Sequence, residues 1–483
     1  MFTRGFLLRM ATVLLCVMPE VAIYHLLHPL YPYIASTLSG EAGGQGHGTI
    51  ATRTGLLSSA YFLPSIVSAP LLGAVSDRLG RKKVLVAGLA GYGLGALLLG
   101  IATRFSHALT AMFVMGFFSG NATVAKGLIG DLATDDTSRA AGYSAYGIAY
   151  AICSIAGTVV GAFLSKSSLL ADWDYVKRHP YFVPSAFGFL LAYSCLAVVS
   201  LFLNDENETP SKPPSYASLK DKSHSSDLKI RLAKDSLYSP SSSTDTFYTH
   251  LAPYLAVLNR HTVGPLTLYT LYALTSSLLH TAIALTIATA HQLPQQRSAQ
   301  LAAHTALAKL AAKLLYLAAH ARAPFGSLGM YRLGTLLLVP GVLWVGGGAL
   351  GFLEVGMVAV GVGESWAYLS LIMLITEGAQ AFSESSGGSG GSGTGGKAAL
   401  GLVHGVSGCL AAIVRTAGPA IAGMLWEASG GGFALFCGIG GVVAAQLVLS
   451  VLMLRRRRFR ASVTSSDLVT VKRDGALMPP EVE

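Results

Sequence analysis

The sequence predicts an all-α integral membrane protein with about twelve transmembrane helices in two six-helix bundles. Hydrophobic residues make up 52% of the 483 positions and charged residues only 12%, whereas a typical soluble domain carries about 25% charged residues. The apolar residues gather in segments close to the length of about 20 residues that a helix needs to cross a bilayer. A polar stretch at residues 204–262 separates these segments into two sets of six.

The predicted helices follow one another in each half of the chain. The N-terminal half contains segments at 10–36, 55–75, 84–104, 108–130, 141–165 and 181–203, and the C-terminal half contains segments at 264–290, 298–321, 330–352, 355–377, 399–425 and 432–454. The eighth segment is the weakest, because His304, Lys309 and Lys313 interrupt its alanine-rich run. An amphipathic helix on the membrane surface is the alternative for that segment.

This pattern divides the chain into an N-terminal bundle at 1–203, a linker at 204–262, a C-terminal bundle at 263–454 and a basic then polar tail at 455–483. The linker is rich in Ser, Pro, Lys and Asp, which is typical of a disordered segment, and the polar part of the tail is expected to be unstructured. Basic residues concentrate in loops on one side of the predicted membrane, so both termini and the linker are expected in the cytoplasm. This topology explains the net charge of +10 without nucleic acid as a partner.

The sequence contains no catalytic triad, phosphate-binding loop or metal-ligand constellation that stands out. Glycine patterns of the dinucleotide-binding type lie inside predicted helices with no strand before them, so they do not indicate a nucleotide site. All five cysteines lie inside apolar segments, where they are expected to act as small packing residues. We therefore expect neither enzymatic activity nor a metal or other cofactor.

The most informative motif is a short charged turn between the second and third predicted helices. Its glycines allow close helix approach, and its acidic and basic side chains can form an ion network with Asp131 at the end of the fourth helix. The residues concerned are Gly73, Asp77, Arg78, Gly80, Arg81 and Lys82. The pattern resembles the signature G-x-x-x-D-[RK]-x-G-R-[RK] of major facilitator superfamily transporters. This resemblance implies the major facilitator fold, in which two bundles rock around a central cavity, and a gating role for the turn.

Ionisable groups inside a bilayer are costly, so each one is a functional candidate. In the first helix, Glu20, Tyr24 and His28 lie with Tyr31 within an arc of about 80° and form one polar stripe. Burial favours the protonated form of a carboxylate, so Glu20 is predicted to carry protons with His28 assisting, and Glu364 in the tenth helix is the second candidate. The alternative for Glu20 is a structural hydrogen bond to a neighbouring helix.

Candidates for the solute cavity are Tyr24, Asn121, Lys126 and Arg415. Arg415 lies deep in the eleventh helix, and a guanidinium group that does not deprotonate needs either an anion or a carboxylate partner there. The alternatives are a structural ion pair for Arg415 and a side chain that extends to the membrane surface for Lys126. For His280, the sequence is consistent with either a functional role or a role as a hydrogen-bonded packing residue.

Two further segments resemble particular branches of the superfamily. The fifth helix, with Gly147, Gly157 and Gly161, is similar to the drug:proton antiporter signature G-x(8)-G-P-x-x-G-G and is predicted to pack closely. The eleventh helix resembles the zinc-induced-facilitator-like branch, which reads G-x-x-N-G and then a basic residue followed by x-x-G-P. This second resemblance implies a cavity position for His404, which replaces the Asn, and helix packing at Gly418 and Pro419.

The resemblance implies a secondary transporter that exports small organic solutes, namely organic anions, drugs or metal chelators, by proton antiport. Met112 stands where drug:proton antiporters usually carry an Arg, which favours a facilitated uniporter or proton symporter as one alternative. The other alternative is a transporter-like receptor that moves no solute. The expected partners are the solute, protons and the lipid bilayer, and the chain is expected to be a monomer in the plasma or vacuolar membrane.

Overall fold

The computed structural model describes residues 4–38, 47–132, 136–166, 173–202, 261–322, 326–347, 350–386, 394–430 and 432–474. The described residues are almost entirely helical and contain no strand. Nine helical segments among them are long and apolar enough to cross a membrane. The predicted all-α membrane fold is therefore confirmed, while the predicted linker up to residue 260 lies outside the described residues.

The N-terminal half begins with a helix that changes direction at its prolines. Helix α1 ends at Leu27, a 3₁₀ turn covers His28–Leu30, and α2 begins at Tyr31, with Pro29 and Pro32 in the first turns of the new segments. A proline lacks the N–H that a continuing helix would need, but it is accepted in a first turn. The helices of this half are α1 (Arg4–Leu27), α2 (Tyr31–Thr37), α3 (His47–Leu79), α4 (Arg81–Gly100), α5 (Phe105–Phe117), α6 (Asn121–Leu132), α7 (Asp136–Lys166), α8 (Asp174–Arg178) and α9 (Phe182–Phe202).

The C-terminal half contains six long helices, and a π-helical turn at Thr286–Ala290 extends the first of them. The helices are α10 (Val263–Leu285), α11 (Gln295–Arg322), α12 (Gly326–Gly346), α13 (Leu350–Ser386), α14 (Thr394–Ala428) and α15 (Phe433–Asp474). Each of the twelve predicted spans overlaps one helix or two consecutive ones. The backbone of α15 stays helical to Asp474, so the tail begins as a helix where an unstructured segment was expected.

The eighth predicted span, α11, packs inside the protein. It lies against α13 of its own half and α7 of the other half. Tyr316 of α11 is fully buried, and its hydroxyl lies 3.1 Å from Ser370 Oγ of α13. This packing favours the spanning helix over the surface helix for residues 298–321.

Each half has its own apolar core. Ile23, Tyr92 and Met112 belong to one core in the N-terminal half, and Leu279 and Phe436 belong to one in the C-terminal half. Met112 is fully buried among apolar neighbours. The position where drug:proton antiporters usually carry an Arg is therefore a packing position in this chain.

The two halves meet where α3 packs against α14 and α7 packs against α11. On α3, a Cβ at Gly55 would overlap the carbonyl of Pro419, so glycine permits the close approach of the two helices. Near the same end, the Tyr33 hydroxyl donates to the carbonyl of Leu293 at 2.7 Å. The Thr52 hydroxyl donates to the Glu427 carboxylate. These contacts close the end of the molecule that the predicted topology places outside the cell.

Candidate functional site

Three ionisable side chains from three helices of the C-terminal half form one charged cluster: His280 of α10, Lys309 of α11 and Glu364 of α13. Lys309 Nζ lies 2.7 Å from Glu364 Oε2. His280 Nε2 lies 3.1 Å from the same oxygen and 3.1 Å from Lys309 Nζ. Glu364 is only 3% exposed. The structure therefore supplies the predicted proton-coupling residue Glu364 with a cationic partner and an imidazole.

Hydrogen bonds between neighbouring helices hold the charged cluster in place. Trp366 Nε1 of α13 donates to the carbonyl of Ala312 in α11 at 2.9 Å. The Tyr272 hydroxyl of α10 donates to the main-chain carbonyl of Glu364 at 3.2 Å. A Cβ at Gly361 would lie 3.2 Å from Lys309 Cγ, so the absence of a side chain leaves room for the lysine stem. The helix backbones thus fix where the three ionisable groups meet.

His28 connects the charged cluster to the N-terminal half. Its ring centroid lies 6.2 Å from that of His280 and 5.5 Å from that of Tyr24. Tyr24 in turn packs on Tyr61 of α3, with 5.0 Å between ring centroids. Tyr24 and His28, which share the predicted polar stripe, therefore lie at the contact between the two halves.

Arg415 of α14 lies among tyrosines from both halves of the protein. It is partly buried, and among the described residues it has no hydrogen-bond or ion-pair partner. Its guanidinium group is within electrostatic range of five phenolic hydroxyls, those of Tyr24, Tyr150, Tyr269, Tyr272 and Tyr368. The structural ion pair considered from the sequence is therefore not formed within the described part of the chain.

Glu20 belongs to α1, within the N-terminal half. Its main-chain carbonyl accepts a hydrogen bond from the Tyr92 hydroxyl at 3.1 Å. Its carboxylate is within electrostatic range of the hydroxyls of Tyr61, Tyr92, Tyr146 and Tyr150. The two candidate proton carriers, Glu20 and Glu364, thus have different surroundings, one lined by phenols and the other containing Lys309 and His280.

Asn121 occupies a packing position and not the cavity position predicted for it. It is 1% exposed, and its Nδ2 donates to the carbonyls of Cys16 in α1 and Leu85 in α4, both at 3.4 Å. A Cβ at Gly88 would overlap its amide, so α4 approaches Asn121 through a glycine. Asn121 therefore connects three helices of the N-terminal half.

The predicted gating turn joins α3 to α4 through Gly80, whose φ of 93° favours glycine over residues with a side chain. Arg81 Nη1 donates to the carbonyl of Val124 in α6 at 3.3 Å, so the turn contacts the fourth predicted span. Lys82 is partly exposed. The side chains of Asp77, Arg78, Lys126, Asp131 and His404, together with Gly73, lie outside the part of the structure that is described.

The five residues predicted to pack helices together differ in their surroundings. A Cβ at Gly157 would overlap the carbonyl of Ala22, and one at Gly161 would lie 2.7 Å from the carbonyl of Leu26, both in α1. A Cβ at Gly418 would lie 2.7 Å from Ser277 Oγ of α10, and Pro419 meets Gly55 of α3. Gly147 differs, because among the described residues no atom beyond its own helical turn lies within 4 Å of its Cβ position.

Sequence reasoning did not assign Lys309 to the site. It treated Lys309 as an interruption of a weak span, and it left His280 between two roles. A lysine within a spanning segment is itself a signal, because an isolated charge there is costly and requires a partner. The partner was hard to identify because residues 280, 309 and 364 come from separate helices.

The profile of the Major Facilitator Superfamily matches residues 13–394 of the chain. The chain belongs to this family. The fold and the family predicted from the sequence are confirmed, and the family is one of multi-pass membrane transporters, which are not enzymes. Such transporters bind small-molecule solutes within the membrane.

Three relatives are similar to this chain over part of its length. A major facilitator-type transporter, psiT2, of Psilocybe cyanescens is 27% identical over 177 residues, which are 36% of this chain and 32% of the relative. The efflux pump azaK of Aspergillus niger is 24% identical over 197 residues, which are 40% of this chain and 41% of the relative. The protein ZINC INDUCED FACILITATOR 1 of Arabidopsis thaliana is 25% identical over 208 residues, which are 41% and 42% of the two chains. The chain thus matches between about a third and two fifths of the length of these relatives.

Among solved structures, the human organic anion transporter MFSD10 (TETRAN) has a similar fold, with a TM-score of 0.60. The superposition covers 93% of this chain and 100% of that one at 21% sequence identity. A likeness at this identity carries the fold alone. It extends over both halves, including the regions where the sequence matches above do not reach.

Proposed function

We propose that this chain exports small organic anions by alternating access. The observation that carries the proposal is Arg415, a permanently charged group that has no hydrogen-bond or ion-pair partner among the described residues. A guanidinium group at membrane depth needs a counter-charge. The negative group of a solute is the natural partner for it, because the surrounding hydroxyls are uncharged.

The tyrosines around Arg415 suit the remainder of an organic anion. Phenol rings offer apolar surface together with a hydroxyl that can donate a hydrogen bond. Tyr150 is 41% exposed, so part of this lining is accessible to a solute. Lys313 of α11 lies within electrostatic range of Lys309 and adds to the positive character of the charged cluster. The similarity to an efflux pump supports export as the direction.

Proton antiport is the coupling that the sequence resemblance implies, with Glu20 as the principal proton carrier. Antiport requires that the solute and the proton exclude one another from the carrier. For an anion, electrostatics opposes this exclusion. A bound proton strengthens anion binding, and a bound anion strengthens proton binding to the same extent. The charged cluster, with His280 beside Lys309, therefore favours cotransport of anion and proton as a second candidate.

Flux into proteoliposomes tests both parts of the proposal, with tritiated para-aminohippurate, an aromatic carboxylate, as the probe. We expect wild type to transport it and Arg415→Gln to bind it roughly 10- to 100-fold more weakly, as for the loss of a charge-assisted hydrogen bond of about 1.5–3 kcal/mol. Arg415→Lys should retain part of the affinity. Arg297→Gln is the control, because Arg297 is exposed and its side chain donates to Gln300 of the same helix.

Transport by Arg415→Gln at the wild-type rate, or transport of tetraethylammonium in place of para-aminohippurate, would contradict the proposal. An imposed pH gradient separates the coupling modes. Accumulation on the acidic side indicates antiport, accumulation on the alkaline side beyond that of protein-free liposomes indicates cotransport, and equal distribution indicates a uniporter. Specific binding without flux would identify a receptor.

A further inference from the structure

The charged cluster has a geometry in which one imidazole nitrogen competes with an ammonium group for a carboxylate oxygen. Lys309 Nζ, His280 Nε2 and Glu364 Oε2 form a triangle with sides of 2.7, 3.1 and 3.1 Å. If the ammonium group donates to both other atoms, His280 is neutral and carries its proton on Nδ1. The cluster then has no net charge, since one cation faces one carboxylate.

The second oxygen of Glu364 is an unused acceptor. Glu364 Oε1 is buried and has no hydrogen-bond partner among the described residues. A buried carboxylate oxygen without a donor is unfavourable. Glu364 Oε1 is therefore an acceptor that no donor of the cluster reaches. With one more proton, the cluster could provide a donor for every acceptor.

We propose that His280, Lys309 and Glu364 form a site in the C-terminal bundle that binds one proton on His280 Nε2. A proton from water adds to the lone pair of Nε2, and the imidazolium donates its Nε2–H to Glu364 Oε2. Lys309 keeps its three protons, loses Nε2 as an acceptor, and moves its ammonium group to the unused Oε1. Each carboxylate oxygen then faces one cation, and the net charge of the cluster rises from zero to +1.

The added charge acts on ionisable groups of α10, α11 and α13 themselves and of the elements near them. The titratable or charged groups concerned are His25 and Tyr24 of α1, His28 of the 3₁₀ turn, Tyr272 of α10, Lys313 of α11, Tyr368 of α13 and Arg415 of α14. The His28 ring approaches the His280 ring edge to face from the opposite bundle, with 6.2 Å between the ring centroids. Proton binding on His280 thus changes the electrostatic potential at the contact between the two halves.

The link between this proton and the solute rests on the proposed transport of anions. A cluster with a net charge of +1 attracts an anion at Arg415 more strongly than a neutral cluster does, and anion binding favours proton binding to the same extent. The proton site itself does not depend on the identity of the solute.

Potentiometric titration of the full-length protein in nanodiscs tests the proton site without any solute. Between pH 8 and pH 5, we expect wild type to take up about one proton more than His280→Gln. Glu364→Gln should lose the same proton, and the double variant should lose no more than either single variant. The control His304→Gln removes a histidine that pairs with Glu354 at 2.7 Å, outside the charged cluster. The proton uptake lost in His304→Gln should therefore add to the uptake lost in His280→Gln.

Equal proton uptake by wild type and His280→Gln would overturn the proposal. A double variant that loses two protons, the sum of the losses in the two single variants, would also overturn it. Because Glu364→Gln is isosteric, it supplies the comparison if His280→Gln does not fold. Calorimetric binding of para-aminohippurate in buffers of different ionisation enthalpy then measures the link to the solute. Failure of that probe to bind, with the proton difference intact, would reject the anion function and leave the proton site standing.

Discussion

Lys309 Nζ lies 2.7 Å from Glu364 Oε2, and this ion pair joins α11 to α13 within the C-terminal half. The glutamate side chain is 4% exposed and the lysine side chain 28% exposed. The carboxylate is thus the more buried partner and depends on the ammonium group for its counter-charge.

Removal of Lys309 alone should destabilise the protein more than removal of both charges. Breaking a buried ion pair by deleting one partner costs roughly 3 kcal/mol, because the other charge is left without compensation. Lys309→Gln should therefore unfold at a lower temperature than Lys309→Gln combined with Glu364→Gln, as measured by thermal melting in detergent. A double variant that melts below both single variants would show that the pair is not the dominant interaction.

Glu20→Gln keeps the shape of the side chain but removes its ionisation. We expect it to abolish accumulation of para-aminohippurate driven by a pH gradient, while counterflow exchange of the solute stays partly intact. Glu354→Gln is the matched control, since Glu354 is an exposed residue that pairs with His304. If Glu20→Gln still accumulates the probe and Glu364→Gln does not, the proton carrier lies in α13. If neither variant changes the pH dependence, proton coupling should be abandoned for the uniporter.

Two glycines of α7 should respond differently to the same substitution. Gly157→Ala places a Cβ against the carbonyl of Ala22 in α1, and overpacking of this kind costs about 1–3 kcal/mol. The Cβ of Gly147→Ala meets no atom of another described helix within 4 Å, so the helix propensity of alanine should leave the stability of the protein unchanged or slightly raised. Thermal melting of the two variants compares them directly. A similar loss in both would mean that backbone flexibility, and not close packing, explains the glycines.

Tyr33→Phe removes the hydrogen bond from the Tyr33 hydroxyl to the carbonyl of Leu293, which connects the two halves at one end. We expect the closed arrangement of that end to lose about 1 kcal/mol, so a cysteine introduced at Gln296, three residues after Leu293, should react faster with a polar maleimide. Tyr193→Phe is the control, because the Tyr193 hydroxyl donates to Ala90 within the N-terminal half. Equal reactivity in the two variants would exclude Tyr33 as a latch.

The helices and the family were predictable because they depend on local sequence. A helix in a bilayer satisfies its own backbone hydrogen bonds, so a long apolar segment is sufficient to identify it. The charged turn around Gly80 and Arg81 is likewise contiguous in sequence, and the resemblance to the superfamily depends on it. The breaks at Pro29 and Pro32 follow from the missing N–H of proline.

The partners of the ionisable residues were decided by the tertiary structure alone. Glu364 was recognised as a candidate from its depth in a helix, but its pairing with Lys309 and His280 depends on how α10, α11 and α13 are ordered and rotated. For the same reason Asn121 faces neighbouring helices and Gly147 faces open space, although both resemble functional or packing positions in the sequence. The sequence determines which segments cross the membrane and which charges they carry. Only the packing of those segments, which brings together side chains from distant parts of the chain, decides which charges meet.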